Sequence, residues 1–133
     1  MMKIKLNELE SNIRAINCLG AKKLPIKLSY ILSKNAKKLI EEYELMSEQR
    51  VKILEKDCVR DKENKPALDK DNAYTYPDEA TKNNMLKELQ ELFDTETDVD
   101  IVKISCETLE MCNGEKFDIL TLNEISALDF MIE

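Results

Sequence analysis

The chain has 133 residues, with 20 lysines and arginines against 27 aspartates and glutamates, a net charge of −7, and neither histidine nor tryptophan. That length fits one compact domain, and the missing histidine removes Ser-His-Asp and Cys-His catalysis, histidine-ligated metal and an imidazole pH switch. Charged residues at 35%, aromatics at 5%, two glycines and three prolines favour long helices over a turn-rich β fold.

Residues 3–6 alternate Lys3-Ile4-Lys5-Leu6, the pattern of a short strand with Ile4 and Leu6 inward. Asn7 as N-cap and Glu10 as its capping-box partner start a helix whose apolar positions are Leu9, Ile13, Ile16 and Leu19, with Gly20 as its stop. After the connector Lys22-Lys23-Leu24, Pro25 suits the first position of a second helix that nothing breaks until about Arg60. Its seam is Leu32, Ala36, Leu39, Tyr43, Met46, Arg50 and Ile53, spaced alternately four and three like coiled-coil heptads and interrupted by Arg50. Some 35 residues make a helix on the order of 50 Å long, so part of it must project or meet a partner.

Residues 61–78 are polar and hold two prolines, Pro66 and Pro77, which predicts a tip loop or a poorly ordered hairpin. Pro77, Asp78 and Glu79 open a third helix to about Thr95, with Met85, Leu89, Leu92 and Phe93 as the seam that folds back antiparallel on the long helix. Val99 and Ile101, then Val102, Ile104 and Cys106, alternate in two phases, predicting a bulge near Ile101 or a strand that begins only there. Asn113-Gly114 signals a hairpin turn with Lys116–Leu120 as the returning strand. Thr121 and Glu124 form a capping box, Leu120 and Ile125 a hydrophobic staple, and Ile125, Leu128, Met131 and Ile132 the buried face of a last helix.

The expected fold is α+β and mostly helical: a long antiparallel helical hairpin on a small antiparallel sheet of residues 3–6, 101–108 and 116–120 with terminal helices. As one domain, its base is 1–24 and 97–133 and its hairpin 25–96. The sequence has no apolar run approaching a membrane span and no signal-peptide pattern at its start, so a cytoplasmic protein without membrane contact is expected.

Candidate chemistry is sparse. Cys18, Cys58, Cys106 and Cys112 lack the close pairing of a zinc site and read as reduced, mostly buried thiols. The run Asp94, Glu96, Asp98, Asp100 lacks the glycine of a calcium loop, since Val99 and Ile101 stand at the sixth positions, and reads as a solvated connector. With Glu107, Glu110, Glu115, Asp118 and Asp129 it could imitate nucleic-acid phosphates, but residues 1–66 are basic, at +5, against −12 for residues 67–133. Two elements packing with complementary charge explain that asymmetry best. The basic cluster Lys22, Lys23, Lys27, Lys34, Lys37 and Lys38 has one aromatic, Tyr30, and reads as a solvated helix face rather than a nucleic-acid site. Asp129, between Leu128 and Phe130, is the one carboxylate with apolar neighbours and is expected to face solvent. Gly20 and Gly114 are too far apart for a phosphate loop. No catalytic, cofactor or metal residue is assigned, and an enzyme is not expected.

The opening Met2-Lys3-Ile4-Lys5-Leu6, the stretch from Leu24 to Tyr30 continuing through Lys34 to Leu39, the segment Val99 to Ser105 and the close from Ile125 to Glu133 resemble a family of small proteins encoded by phages and prophages of low-GC Gram-positive bacteria. That family carries no assigned activity, and the resemblance implies a setting rather than a mechanism. Such proteins usually act by binding. The first expectation is a protein that binds and inhibits, or sequesters, a host component such as an antiviral defence protein. Alternatives are a virion or tail-assembly accessory protein and a small-ligand-sequestering oligomer. Expected partners are a host or phage protein and, through the heptad seam, further copies of the chain.

Overall fold

A computed structural model describes residues 1–133 and is α+β, mostly helical. Its elements are β1 (Met2–Lys5), a 3-10 turn (Leu6–Glu8), α1 (Leu9–Asn17), α2 (Ile26–Lys56), α3 (Glu79–Asp94), β2 (Glu96–Val99), α4 (Cys106–Glu110), α5 (Leu122–Ala127) and a final 3-10 turn (Asp129–Met131). They divide into two compact units, Met1–Tyr43 with Glu96–Glu133, and Glu44–Thr95. The N-terminal part of α2 therefore belongs with the base, not with the hairpin.

In the first unit β1 and β2 pair antiparallel, with Met2 opposite Val99, Lys3 opposite Asp98, Ile4 opposite Thr97 and Lys5 opposite Glu96. Ile4 and Val99 are buried, whereas the lysines stand across from carboxylates on the exposed face. Of the alternating acidic run, Glu96 and Asp98 lie in this strand, Asp94 ends α3 and Asp100 follows β2, and the sheet has two strands rather than three. The expected strand at 101–108 does not form. The Ile101 N–H donates to the Val99 carbonyl in a tight turn that ends the ladder. Ser105 then caps α4 by accepting from the Thr108 N–H. Residues 116–120 are not a strand either. Gly114, at φ +86°, folds its N–H onto the Phe117 carbonyl, and Asp118 docks on Lys23: its N–H reaches the Lys23 carbonyl at 2.8 Å and its Oδ2 accepts from the Lys23 N–H at 2.8 Å.

Three helix boundaries also differ from expectation. The 3-10 turn begins directly after Lys5, so Asn7 lies inside it and caps nothing. α1 ends at Asn17, and Gly20 sits in a following turn without adopting a left-handed conformation. The Pro25 carbonyl accepts the first helical bond of α2 from Ser29, which makes proline the residue before the helix rather than its first.

The seam of α2 turns inward: Leu32, Ala36, Leu39 and Met46 are buried, and Tyr43, Arg50 and Ile53 are half-buried. Leu28, Leu39, Ile104, Leu128 and Met131 are fully enclosed in the first unit. The chain end joins this core by a parallel bridge, Ile104 donating to the Met131 carbonyl and Glu133 to the Ile104 carbonyl. The Thr121–Glu124 capping box forms as the sequence predicts. Leu128 and Met131 follow it inward and Ile132 is half-buried, whereas Ile125, expected on the buried face, is exposed. The Thr121 N–H, aided by Lys22, holds the Glu124 carboxyl below its ordinary 4.5. This stabilisation is present above that ordinary value and is lost as pH falls through the lower folded value. Thr121→Ala removes the acceptor of the Glu124 N–H and should cost about 1 kcal/mol, whereas Glu124→Gln, which cannot ionise, should differ from wild type in urea titrations by an amount that shrinks as pH falls below the ordinary carboxylate value.

In the second unit α2 stops at Lys56, short of Arg60, because the chain caps its own helix. Arg60 Nη2 donates to the Glu55 carbonyl at 2.9 Å, and Tyr76 Oη donates to the Leu54 carbonyl at 2.7 Å. Carbonyls that would lack a partner at the helix end are thereby satisfied. Asp78 caps α3 by accepting from the Thr81 N–H, a bond that holds the Asp78 carboxyl below the usual range. Along α3, Met85 is buried and Leu89, Leu92 and Phe93 are half-buried. Lys56 and Glu88 tie the two helices at 2.6 Å.

Candidate interaction surfaces

The segment between α2 and α3 is an ordered double hairpin rather than a loose loop. Asp61-Lys62-Glu63-Asn64 and Asp69-Lys70-Asp71-Asn72 make the same turn eight residues apart. In the first, Asp61 Oδ1 accepts from the Glu63 and Lys65 N–H groups at 2.9 and 3.0 Å. In the second, Asp69 Oδ1 accepts from Asp71 and Ala73 at 2.8 and 3.0 Å. Asn64 and Asn72 take the left-handed position of each turn, at φ 63° and 61°, which asparagine tolerates better than most residues. Bridges Arg60–Pro66 and Leu68–Tyr74 close the hairpins. The Glu55 carboxylate accepts from Tyr74 Oη at 2.9 Å, a bond that raises the Tyr74 phenol above its usual value. The repeated Asp-Lys-acid-Asn was the signal for this arrangement, and overall polarity concealed it.

Charge complementarity is built into the first unit. Between Ser11 and Ile40 the chain has no carboxylate at all. Two of its lysines bind the acidic C-terminal segment: Lys22 reaches Glu124 at 3.0 Å and the Ile119 carbonyl at 3.0 Å, and Lys38 reaches the Asp100 carbonyl at 2.7 Å. Lys23, Lys27, Lys34 and Lys37 are exposed and form no ion pair within that unit. Of the acidic run, Glu96 and Asp98 face Lys5 and Lys3, and Asp100 meets Lys38. Asp129 is exposed in the last 3-10 turn.

A cleft of about 260 Å³ opens between α1 and the start of α2, floored by Ile16, Leu19, Leu32 and Ala36 and rimmed by Ser29 and Ser33. It is smaller than the roughly 300–1,000 Å³ of typical small-molecule sites. Outside the cleft, large apolar side chains of the same unit are exposed, among them Ile26 at 88%, Tyr30 at 67%, Ile119 at 61% and Leu122 at 80%.

The cysteines are all unpaired, and only half of them are buried: Cys58 and Cys112 inside, Cys18 and Cys106 exposed. Burial pushes the Cys112 thiol up. Iodoacetamide at neutral pH should therefore alkylate Cys18 and Cys106 in the native protein, with Cys58 and Cys112 reacting only after denaturation. Peptide mass spectrometry after timed labelling reads this directly.

One polar residue that sequence reasoning passed over organises the base. Asn35 is fully buried, its Nδ2 donates to the Val102 carbonyl at 2.9 Å, and its Oδ1 accepts from the Val102 N–H at 2.9 Å. A helix side chain thus makes the two bonds a neighbouring strand would make. Its place among Lys34, Lys37 and Lys38 gave it the look of a solvated face, although Leu28, Leu32 and Leu39 put it on the inward one.

No helix is long and apolar enough to cross a membrane. Compared with protein-family models, curated proteins and solved structures, the chain matches none of them.

Proposed function

We propose that the chain is a non-enzymatic interaction protein of phage or prophage origin that binds and inhibits, or sequesters, a host component such as an antiviral defence protein. The observation that carries this reading is the double hairpin of residues 57–78. Its backbone is fixed by Asp61, Asp69, Arg60, Tyr74 and Tyr76 while Lys62, Glu63, Lys70 and Asp71 remain exposed. A polar loop held in shape before contact loses less entropy on binding, and binding residues concentrate on such loops. The exposed carboxylates of the C-terminal third, Glu107, Glu110 and Glu115, offer a second contact of opposite character to the lysine face.

Purification of the tagged protein from infected bacterial cells tests the reading. A host protein should co-purify in stoichiometric amount, and the double variant Lys62→Glu, Lys70→Glu should release it without changing the thermal transition. Stoichiometric presence of the chain in purified virions would replace this reading with an assembly role, and the absence of any retained protein would reject it.

A further inference from the structure

Five of the eight large apolar side chains exposed in the first unit lie on two segments that hydrogen bonds and an ion pair join. Ile26 and Tyr30 stand one turn apart on α2, and Ile119, Leu122 and Ile125 lie on the segment that Asp118 and Glu124 fasten to Lys23 and Lys22. The two segments meet at Lys22 and Lys23, one basic and one acidic, and each carries apolar residues exposed by 38% to 88%. Lys27 and Lys34 are exposed on α2 and Lys23 just before it, and Glu115, Asp118 and Asp129 are exposed in the acidic C-terminal segment.

We infer that this surface docks a second copy of the chain, related by a two-fold axis through the Lys23–Asp118 junction. A two-fold lays the basic segment of one protomer on the acidic segment of its partner and encloses Ile26 and Leu122 between them. An acidic protein or an anionic membrane would match the lysines but meet repulsion from the C-terminal segment, whereas an identical surface satisfies both. The heptad seam does not provide this contact, because Leu32, Ala36, Leu39 and Met46 are covered within the chain. Five apolar side chains at its centre make this a small contact, so the association is to be sought from the micromolar range upward.

Sedimentation velocity of the full chain from about 1 µM to several hundred micromolar decides the matter. The mass should rise to twice that of the chain, and raising salt should weaken the association. Leu122→Glu and Ile26→Glu should each weaken it at least tenfold, and Lys27→Glu to a smaller degree, with far-UV circular dichroism unchanged because these side chains are exposed. Val51→Glu, an exposed apolar position of the second unit, should leave it intact. A single-chain mass throughout the range overturns the inference, as does association that Val51→Glu abolishes or that Leu122→Glu leaves untouched.

Discussion

Asn35→Ala should lower the stability of the folded chain by about 3 kcal/mol, since it removes both bonds to Val102 and leaves that N–H and carbonyl without a partner beside a closed core. Urea unfolding followed by circular dichroism measures the loss, with Ser33→Ala, at an exposed position two residues away, expected to stay within about 0.5 kcal/mol of wild type. Asn35→Asp distinguishes a hydrogen-bonding role from simple packing. It retains an acceptor for the Val102 N–H but sets a carboxylate against the Val102 carbonyl and the Met131 sulfur, 3.5 Å from Asn35 Nδ2 in the wild type. A buried carboxyl facing acceptors has its folded-state value raised, so the aspartate variant should gain stability as pH falls through that value, opposite to the wild-type trend set by Glu124. An alanine variant as stable as wild type would mean that water supplies both bonds at no cost.

The second large effect belongs to Leu39, which is fully buried in the α2 seam. Leu39→Ala should cost about 2–5 kcal/mol through lost transfer energy and the cavity left behind. Leu39→Asp should abolish the cooperative transition, because a charge would be enclosed without a partner. Leu45→Ala is the matched control, on the same helix but 55% exposed, and should change stability by under about 0.5 kcal/mol. Differential scanning calorimetry of the three variants separates the core face of α2 from its outer face. A Leu39→Asp protein that melts like wild type would place the seam outside the core.

The helices were the legible part of this chain because their signals are local. Periodicity over Leu32, Ala36, Leu39 and Met46 identified the buried face of α2, and Thr121 with Glu124 identified the start of α5 from four residues alone. The stretch between Asp94 and Leu120 was misread because its hydrogen bonds are settled by distant residues. Val102 bonds to Asn35 and Ile104 to the chain end, so apolar alternation at Val102, Ile104 and Cys106 reflects contacts other than a sheet ladder. Likewise Asn113-Gly114 does turn the chain, but Asp118 is claimed by Lys23 before a returning strand can form. Of the candidate surfaces, the charge division between the two halves was visible at once. The apolar patch was not, since exposure of Ile26 or Leu122 depends on what the fold leaves uncovered.

The twin turns of the tip separate shape from identity. Each backbone path is set by one aspartate accepting two N–H groups and one asparagine in a left-handed conformation. Lys62, Lys70 and Asp71, which lie between them, contribute no side-chain hydrogen bond or ion pair to the fold. Substitutions there would alter the chemistry offered to a partner while leaving the framework in place. The outward chemistry of such a loop can change through point mutations alone, without each change having to be compensated elsewhere in the chain.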